Sequence, residues 1–255
     1  MHEDMALSFF LLLTLGHLIG DFTLQPFWLV LEKRKGWRGL VIHVGIVTFF
    51  TAILVWGLIP HWWVWIIVLF LGHLFIDQFR TFVFTDNKKG KGLLLLALDQ
   101  LAHIVLIWII AWLALGSPFN HLYLLTTNNY YQLLMYLIGL AALIGVIPVL
   151  EVEITVAVWE AQGQTMDKIV AITSADRLLG GLERSTAMLL IALGLSNGLA
   201  FLAPLVFVPR LGLMIRRGEL KADRTAVTTK VVTSFSAAVL VGMMLYNVPA
   251  PTILS

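Results

Sequence analysis

Two short stretches of this sequence repeat the same pair of ionisable residues in strongly apolar surroundings. LGHLIGDF places His17 four residues before Asp21, and LGHLFIDQF places His73 four residues before Asp77. Residues four apart lie on one face of a helix, so each pair can present an imidazole and a carboxylate to the same point. These two groups together are ligands of zinc, manganese and iron. The pattern therefore predicts a site for a divalent cation.

The same chemistry extends to two further apolar segments. DQLAH places Asp99 four residues before His103, and His43 stands alone between the two repeats. A single polar residue in a membrane helix is often only a contact between helices, but seven ionisable groups are costly and each needs a partner. We therefore predict a shared metal site, with zinc as the first choice and manganese or iron as alternatives. Its candidate ligands are His17, Asp21, His43, His73, Asp77, Asp99 and His103.

The elements that must position these side chains are membrane helices. The chain has 255 residues, of which 59% are hydrophobic and 13% charged, and its mean hydropathy is +0.90. Runs of about 18 apolar residues can cross a hydrocarbon core about 30 Å thick as helices. The composition predicts an all-α, polytopic transmembrane bundle with six or seven hydrophobic segments. The expected segments are 5–25, 39–58, 62–80, 93–115, 131–150, a broken segment within 185–209, and 228–248.

Basic residues occur only in alternate connections between the first five expected segments. Lys33, Arg34, Lys35 and Arg38 follow the first segment, and Arg80, Lys88, Lys89 and Lys91 follow the third. The connections GLIPHWW and GSPFNHLYLLTTNNYY contain no Lys or Arg. This asymmetry predicts basic loops in the cytoplasm and an N-terminus outside. Each Asp of the three pairs then lies nearer the cytoplasm than its His, and all candidate ligands lie roughly 5–16 Å inside the cytoplasmic ends of their helices. Gln25 and Arg80 are candidates for groups that orient the ligands.

The pattern divides the chain into two parts. Residues 1–116 are expected to form a four-helix unit with an internal pseudo-repeat that carries the His/Asp cluster. Residues 117–255 are expected to form a C-terminal membrane region, with 151–184 on the cytoplasmic side. The segment 185–209 either crosses once or re-enters the membrane, because glycine, asparagine and proline interrupt it.

The net charge and the cysteine content exclude several kinds of partner and site. The formal charge of +2 does not favour nucleic acid as a partner, and the absence of cysteine excludes disulfides, iron–sulfur clusters and thiolate zinc sites. The expected partners are membrane lipids and an unidentified small-molecule or lipid substrate.

The predicted metal site is compatible with three functions. A metal-dependent hydrolase is favoured, because a metal lowers the pKa of bound water and a spare Asp can act as the base. No catalytic residue is assigned. Transport of a divalent cation is the alternative, since paired His and Asp on two helices are similar to the intramembrane zinc site of cation diffusion facilitators. A haem-binding, redox or proton-relay subunit is a second alternative.

The stretches GHLIGDFTLQ, WRGLVIHV, GHLFIDQFR and DQLAH together resemble a bacterial membrane family known as domain of unknown function 3307. Its H-x-x-x-D-F-x-x-Q pattern falls on His17, Asp21, Phe22 and Gln25. The resemblance implies a helical, multi-pass protein of the bacterial cytoplasmic (inner) membrane and implies no reaction. DRLLGGLER at 176–184 resembles the later G-R-x-x-G-x-L-E-R stretch of longer members. The pattern is also faintly similar to membrane-bound metal-dependent hydrolases.

Overall fold

The structure, a computed structural model, describes residues 3–33, 35–83, 92–163 and 174–248. Every regular element within these ranges is a helix, which confirms the all-α class. Seven of the helices are long and apolar enough to cross a membrane, as expected for a polytopic bundle. They are Met5–Thr23, Trp37–Val55, Trp62–Thr81, Gly92–Leu115, Asn129–Ala161, Leu199–Arg216 and Arg224–Tyr246. Of the basic residues that predicted the topology, Arg34, Lys88, Lys89 and Lys91 lie outside the described ranges.

The chain forms two compact units. The first consists of Met1–Lys88 and Leu94–Ile138, and the second of Lys89–Leu93 and Gly139–Ser255. The domain boundary expected after residue 116 stays a prediction. The helices that lie wholly or mainly in the first unit are α1 (Glu3–Leu18), α2 (Phe27–Glu32), α3 (Trp37–Val55), α4 (Trp62–Gln78), α5 (Gly92–Leu115), α6 (Leu124–Thr127) and α7 (Asn129–Ala141), with a 3₁₀ turn at Pro118–His121.

Helix α1 lies at the centre of the first unit and packs closely on α3. Its span is 78% buried, compared with 44% for the span of α3. Gly16 and Gly20 make the close approach possible, because a Cβ at these positions would lie 2.6 Å from the Cα of Thr51 and 2.5 Å from the Cα of Val47. Small residues four apart commonly mark such helix contacts in membranes. The contact places His17 and Asp21 against the face of α3 that carries His43.

We expect Gly20→Ala to destabilise the protein by about 1–3 kcal/mol, because the added methyl group forces α1 and α3 apart. Gly45→Ala on α3 is the matched control, since a Cβ there meets no atom within 4 Å. Thermal unfolding of both variants in detergent measures the difference. Equal melting temperatures would show that the helices do not pack as closely as described.

Both helices that carry the repeated His–Asp pair end in a π-helical turn. Ile19–Thr23 follows α1 and contains Asp21, and Phe79–Val83 follows α4 and begins two residues after Asp77. A π turn inserts one residue and rotates the chain that follows it, and such turns are frequent at functional sites. The two copies of the predicted pseudo-repeat therefore share a backbone feature as well as their residues.

The second unit begins with a longer helix than expected. Its helices are α8 (Ile147–Ala161), α9 (Ser174–Gly194), α10 (Val208–Arg216), α11 (Glu219–Ala222) and α12 (Arg224–Tyr246), with a 3₁₀ helix at Leu199–Phe207. A π turn at Ala142–Val146 joins α7 to α8, so the fifth span continues to Ala161 rather than ending at 150. This turn accommodates Pro148, which cannot donate a backbone hydrogen bond. The side of the membrane assigned to 151–184 stays a prediction.

The segment 185–209 reverses direction. Helix α9 ends at Gly194, and Gly198 adopts a positive φ of 82° before the 3₁₀ helix. The 3₁₀ helix packs back on α9, and Ala187, Ile191, Ala203 and Phe207 share one buried cluster with Ala238. The segment is thus a helical hairpin, so the basic residues of α10 and α11 follow the returning arm. Whether this part of the chain crosses the membrane once or re-enters it stays a prediction, since Leu199–Arg216 is also long and apolar enough to cross.

Candidate metal centre

Four helices bring the seven predicted side chains together in the first unit. All seven are buried, with at most 6% of any of these residues exposed. Helix α1 with its π turn supplies His17 and Asp21, α3 supplies His43, α4 supplies His73 and Asp77, and α5 supplies Asp99 and His103.

His43 lies between two carboxylates. Its Nε2 is 2.9 Å from Asp21 Oδ1 and 3.1 Å from Asp77 Oδ2. The lone His of the second segment therefore joins the Asp of both repeats, and it lies at the level of the carboxylates.

The other three imidazoles form a group of their own. The ring centroids of His73 and His103 are 4.2 Å apart, and the ring of His17 stacks on that of His103 at 4.9 Å. The Nε2 atom of each ring faces a carboxylate at 3.7–3.8 Å, from His17 to Asp21 and from His73 and His103 to Asp77. The predicted order, in which each Asp lies nearer the cytoplasm than its His, stays a prediction.

Hydrogen bonding fixes the tautomer of His103. Its Nδ1 lies 2.9 Å from the backbone oxygen of Asp99, and because a carbonyl only accepts, Nδ1 must carry the proton. Its Nε2 is buried without a hydrogen-bond partner. A histidine held in this way offers the Nε2 lone pair as a metal ligand.

A hydrogen bond to Gln25 fixes the tautomer of His43. In the orientation that satisfies its amide, the nitrogen donates to the backbone oxygen of Asp21 at 2.7 Å, and the oxygen accepts from His43 Nδ1 and from Lys33 Nζ, each at 3.2 Å. The proton of His43 is then on Nδ1, and Nε2 faces the two carboxylates. A lone pair directed at two carboxylates is repulsive unless a proton or a metal cation lies between them.

His73 has hydrogen bonds at neither ring nitrogen, although it is completely buried. Leaving a buried polar atom without a partner costs about 1–3 kcal/mol. His73 also belongs to both groups of side chains whose ligand atoms lie within 4.8 Å of one another. These groups are Asp21 with His43 and His73, and His73 with Asp77 and His103.

The charges around the cluster do not balance. Arg80 Nη1 binds Asp99 Oδ2 at 2.8 Å, and Lys33 Nζ lies 4.0 Å from Asp77 Oδ2. Among the residues that the structure describes, no Lys or Arg forms a direct ion pair with Asp21, and Lys33, whose charge also acts on Asp21, pairs with Asp77. One buried negative charge is therefore left for a protonated histidine or a bound cation, which is the electrostatic condition for a metal site.

The seven candidate ligands are not equivalent, because two of them are hydrogen-bonded or paired outside the two ligand groups. Asp99 is paired with Arg80 and accepts from Gln100 Nε2 at 3.0 Å, and His17 Nε2 lies 3.3 Å from Gln100 Oε1. Neither belongs to the two ligand groups. They therefore support the five central side chains, which are Asp21, His43, His73, Asp77 and His103. The ligand role of all seven stays a prediction.

Two neighbours of the cluster were not identified from the sequence. Gln100 links Asp21, Asp99 and His17. The sequence signal that could have identified it is an amide side chain within an apolar helix. Lys33 was interpreted only as a topology signal. Its long side chain brings the ammonium group to the cluster from outside the apolar span, as lysines near helix ends commonly do.

We expect Gln25→Leu to lower metal affinity roughly 10–100-fold, because the group that orients His43 is lost while every ligand remains. Gln132→Leu in α7 is the matched control, since this buried amide donates instead to the Thr126 backbone. Competition with a chromogenic chelator measures both affinities. Equal affinities would show that Gln25 does not orient a ligand.

Comparison with known proteins finds a similarity to one protein family. No characterised protein and no solved structure matches the chain. The sequence pattern of a protein family of unknown function, DUF3307, matches residues 9–134. That region contains all seven buried His and Asp residues of the cluster. The chain is therefore similar to the DUF3307 family over residues 9–134.

Proposed function

We propose that this protein is a metal-dependent hydrolase of the bacterial cytoplasmic membrane, with a divalent cation held by the buried His/Asp cluster. The observation that carries the metal site is the orientation of three imidazoles. His43 and His103 direct Nε2 towards carboxylates, and His73 has no hydrogen-bond partner at the point shared by both ligand groups.

The donor set favours zinc, with manganese or iron as alternatives. Imidazole nitrogens suit zinc, iron and similar metals, whereas sites built for magnesium or calcium use oxygen ligands. The two ligand groups each contain three side chains, which is the number that a catalytic zinc commonly takes from the protein. A metal held by one of these groups would supply a bound water whose pKa is lowered towards about 7.

Hydrolysis is favoured because the cluster contains more carboxylates than one ligand group uses. If the metal takes one of the two ligand groups, the Asp of the other group remains beside it as a base for the bound water. Arg80 and Lys33 each form an ion pair with an aspartate of the cluster, Asp99 and Asp77 respectively. Under the positive-inside rule they support a cytoplasmic location of the site and an external N-terminus.

Transport of the cation is less well supported by the first unit. Beyond His17 along α1, the hydroxyl of Thr14 donates to the backbone oxygen of Phe10, and on α3 the hydroxyl of Thr51 donates to that of Val47. Hydroxyls that bond within their own helix do not provide a hydrated route. Haem is disfavoured because the rings are 4.2–5.6 Å apart and share their space with carboxylates, which leaves little room for a porphyrin.

Elemental analysis combined with hydrolysis assays tests the proposal. Detergent-purified protein is expected to contain zinc, manganese or iron and to cleave one of a panel of nitrophenyl esters, phosphodiesters and anilides. The chelator-stripped protein is expected to be inactive and to recover on addition of the metal. Absence of any bound metal would overturn the site. Bound metal without hydrolysis, together with metal flux into liposomes, would instead establish transport.

A further inference from the structure

Lys33 places a cation of the chain itself beside the proposed metal site. It directly follows α2, and its ammonium nitrogen lies 3.5 Å from His43 Nε2 and 4.0 Å from Asp77 Oδ2. His43 belongs to one of the two ligand groups and Asp77 to the other. A zinc ion bonded to His43 Nε2 at about 2 Å would lie no more than about 5.5 Å from the ammonium nitrogen. The lysine and a bound metal therefore need the same ligands.

The two cations beside the cluster are held with different firmness. Arg80 Nη1 donates to Asp99 Oδ2 at 2.8 Å, whereas the nearest carboxylate oxygen to Lys33 Nζ in the described part of the chain is that of Asp77, at 4.0 Å. The closest contact of the ammonium group is with the neutral amide oxygen of Gln25, at 3.2 Å. The side chain of Lys33 is also 16% exposed, and its four-carbon stem is flexible. Lys33 can therefore reach water without any movement of the helices.

A bound dication makes the charge of Lys33 superfluous. Asp21, Asp77 and Asp99 contribute three negative charges, and Arg80 neutralises one of them. With neutral histidines, a divalent cation neutralises the other two. The ammonium group of Lys33 would then be an uncompensated positive charge a few ångströms from the metal. Like charges at this distance repel strongly in a buried site, because the local dielectric constant is low.

We propose that Lys33 competes with the metal for the His/Asp cluster. Without metal, its ammonium group compensates the carboxylates, and on binding of the divalent cation it moves to the aqueous surface. This inference rests on the proposed metal site and concerns how the site is loaded. It also implies selectivity, because a cation must bind tightly enough to displace the lysine. Lys33 thereby excludes magnesium and calcium, which prefer oxygen ligands, in favour of zinc, manganese or iron.

The first test compares the zinc affinity of two lysine variants. Lys33→Met removes the charge and keeps a flexible side chain. Lys35→Met is the matched control, since Lys35 pairs with Glu32 and 68% of its side chain is exposed. Each chelator-stripped protein is titrated with zinc in competition with a chromogenic chelator. We expect Lys33→Met to bind zinc at least about tenfold more tightly than the unmodified protein, and Lys35→Met to agree with it within about twofold.

The second test follows the lysine in the unmodified protein, so it does not depend on the folding of Lys33→Met. The protein is labelled with a water-soluble, amine-acylating reagent at one pH, with and without zinc, and each lysine is quantified by peptide mass spectrometry. We expect zinc to increase the labelling rate of Lys33 several-fold and to leave that of Lys35 unchanged. His73→Asn, which lacks a proposed ligand, should show no zinc-dependent change at Lys33.

The outcomes separate this proposal from the proposed function, because neither readout depends on hydrolysis. Tighter zinc binding in Lys33→Met, together with faster labelling of Lys33 in the presence of zinc, supports displacement. Zinc binding that is unchanged or weaker in Lys33→Met overturns displacement and leaves the metal site intact. Labelling of Lys33 that zinc does not change also overturns it, since the ammonium group then stays in place. Absence of zinc binding in both the unmodified protein and Lys33→Met overturns the metal site and the displacement together.

Discussion

The His73→Asn protein is expected to purify with less than about a tenth of the metal that the unmodified protein carries. Its affinity should fall at least about 100-fold, since loss of an orienting neighbour alone typically costs 10–100-fold and His73 is itself proposed as a ligand. The residue is completely buried, has no hydrogen bond at either ring nitrogen and belongs to both ligand groups. No other side chain in the cluster combines these properties. Elemental analysis and chelator competition measure the effect.

His61→Asn is the control for this variant. His61 lies in the connection before α4 with a positive φ of 54°, a conformation that asparagine tolerates. The same substitution is therefore made once in the cluster and once outside it. Full metal content in His61→Asn and depleted content in His73→Asn would support the site. Equal metal content in both variants would remove His73 from the coordination sphere.

The spans and the cluster were predictable for the same physical reason. Apolar runs of membrane length are visible in the sequence, and an ionisable residue inside such a run stands out because it is costly. Spacing of four then assigns His17 with Asp21, and His73 with Asp77, to single helix faces. The contacts of His43 with Asp21 and Asp77 show that faces from different helices converge.

The unpredicted features depend on tertiary contacts. Glu151 directly follows the fifth segment expected from the sequence, 131–150, but it is 5% exposed and paired with Arg184 on another helix. A charge neutralised by a distant partner is not visible in a local hydropathy pattern. The π turns at Ile19–Thr23 and Ala142–Val146 also lack a sequence signal of their own. Lys33 reaches the cluster only because its side chain is long and flexible.

We expect Arg184→Met to lower the free energy of unfolding by about 3–5 kcal/mol, because it leaves Glu151 buried without its cation. Replacing one partner of a buried pair costs more than replacing both, so the double variant Arg184→Met with Glu151→Gln should recover most of the loss. Unfolding in mixed detergent and SDS micelles measures all three proteins. Methionine keeps much of the length of arginine, which limits the cavity that the substitution creates.

Arg217→Met is the matched control for this prediction. Arg217 also pairs with a glutamate, Glu219, at 3.8 Å, but 58% of its side chain is exposed, so its loss should change stability by at most about 1 kcal/mol. A large loss in Arg184→Met that the second substitution reverses shows that the cost comes from the unpaired Glu151 charge. If the second substitution does not reverse the large loss, the cost in stability comes instead from the lost bonds of Arg184 to Leu143 and Ser234. A loss as small as that of the control would show that Arg184 is solvated and its pair with Glu151 is not buried.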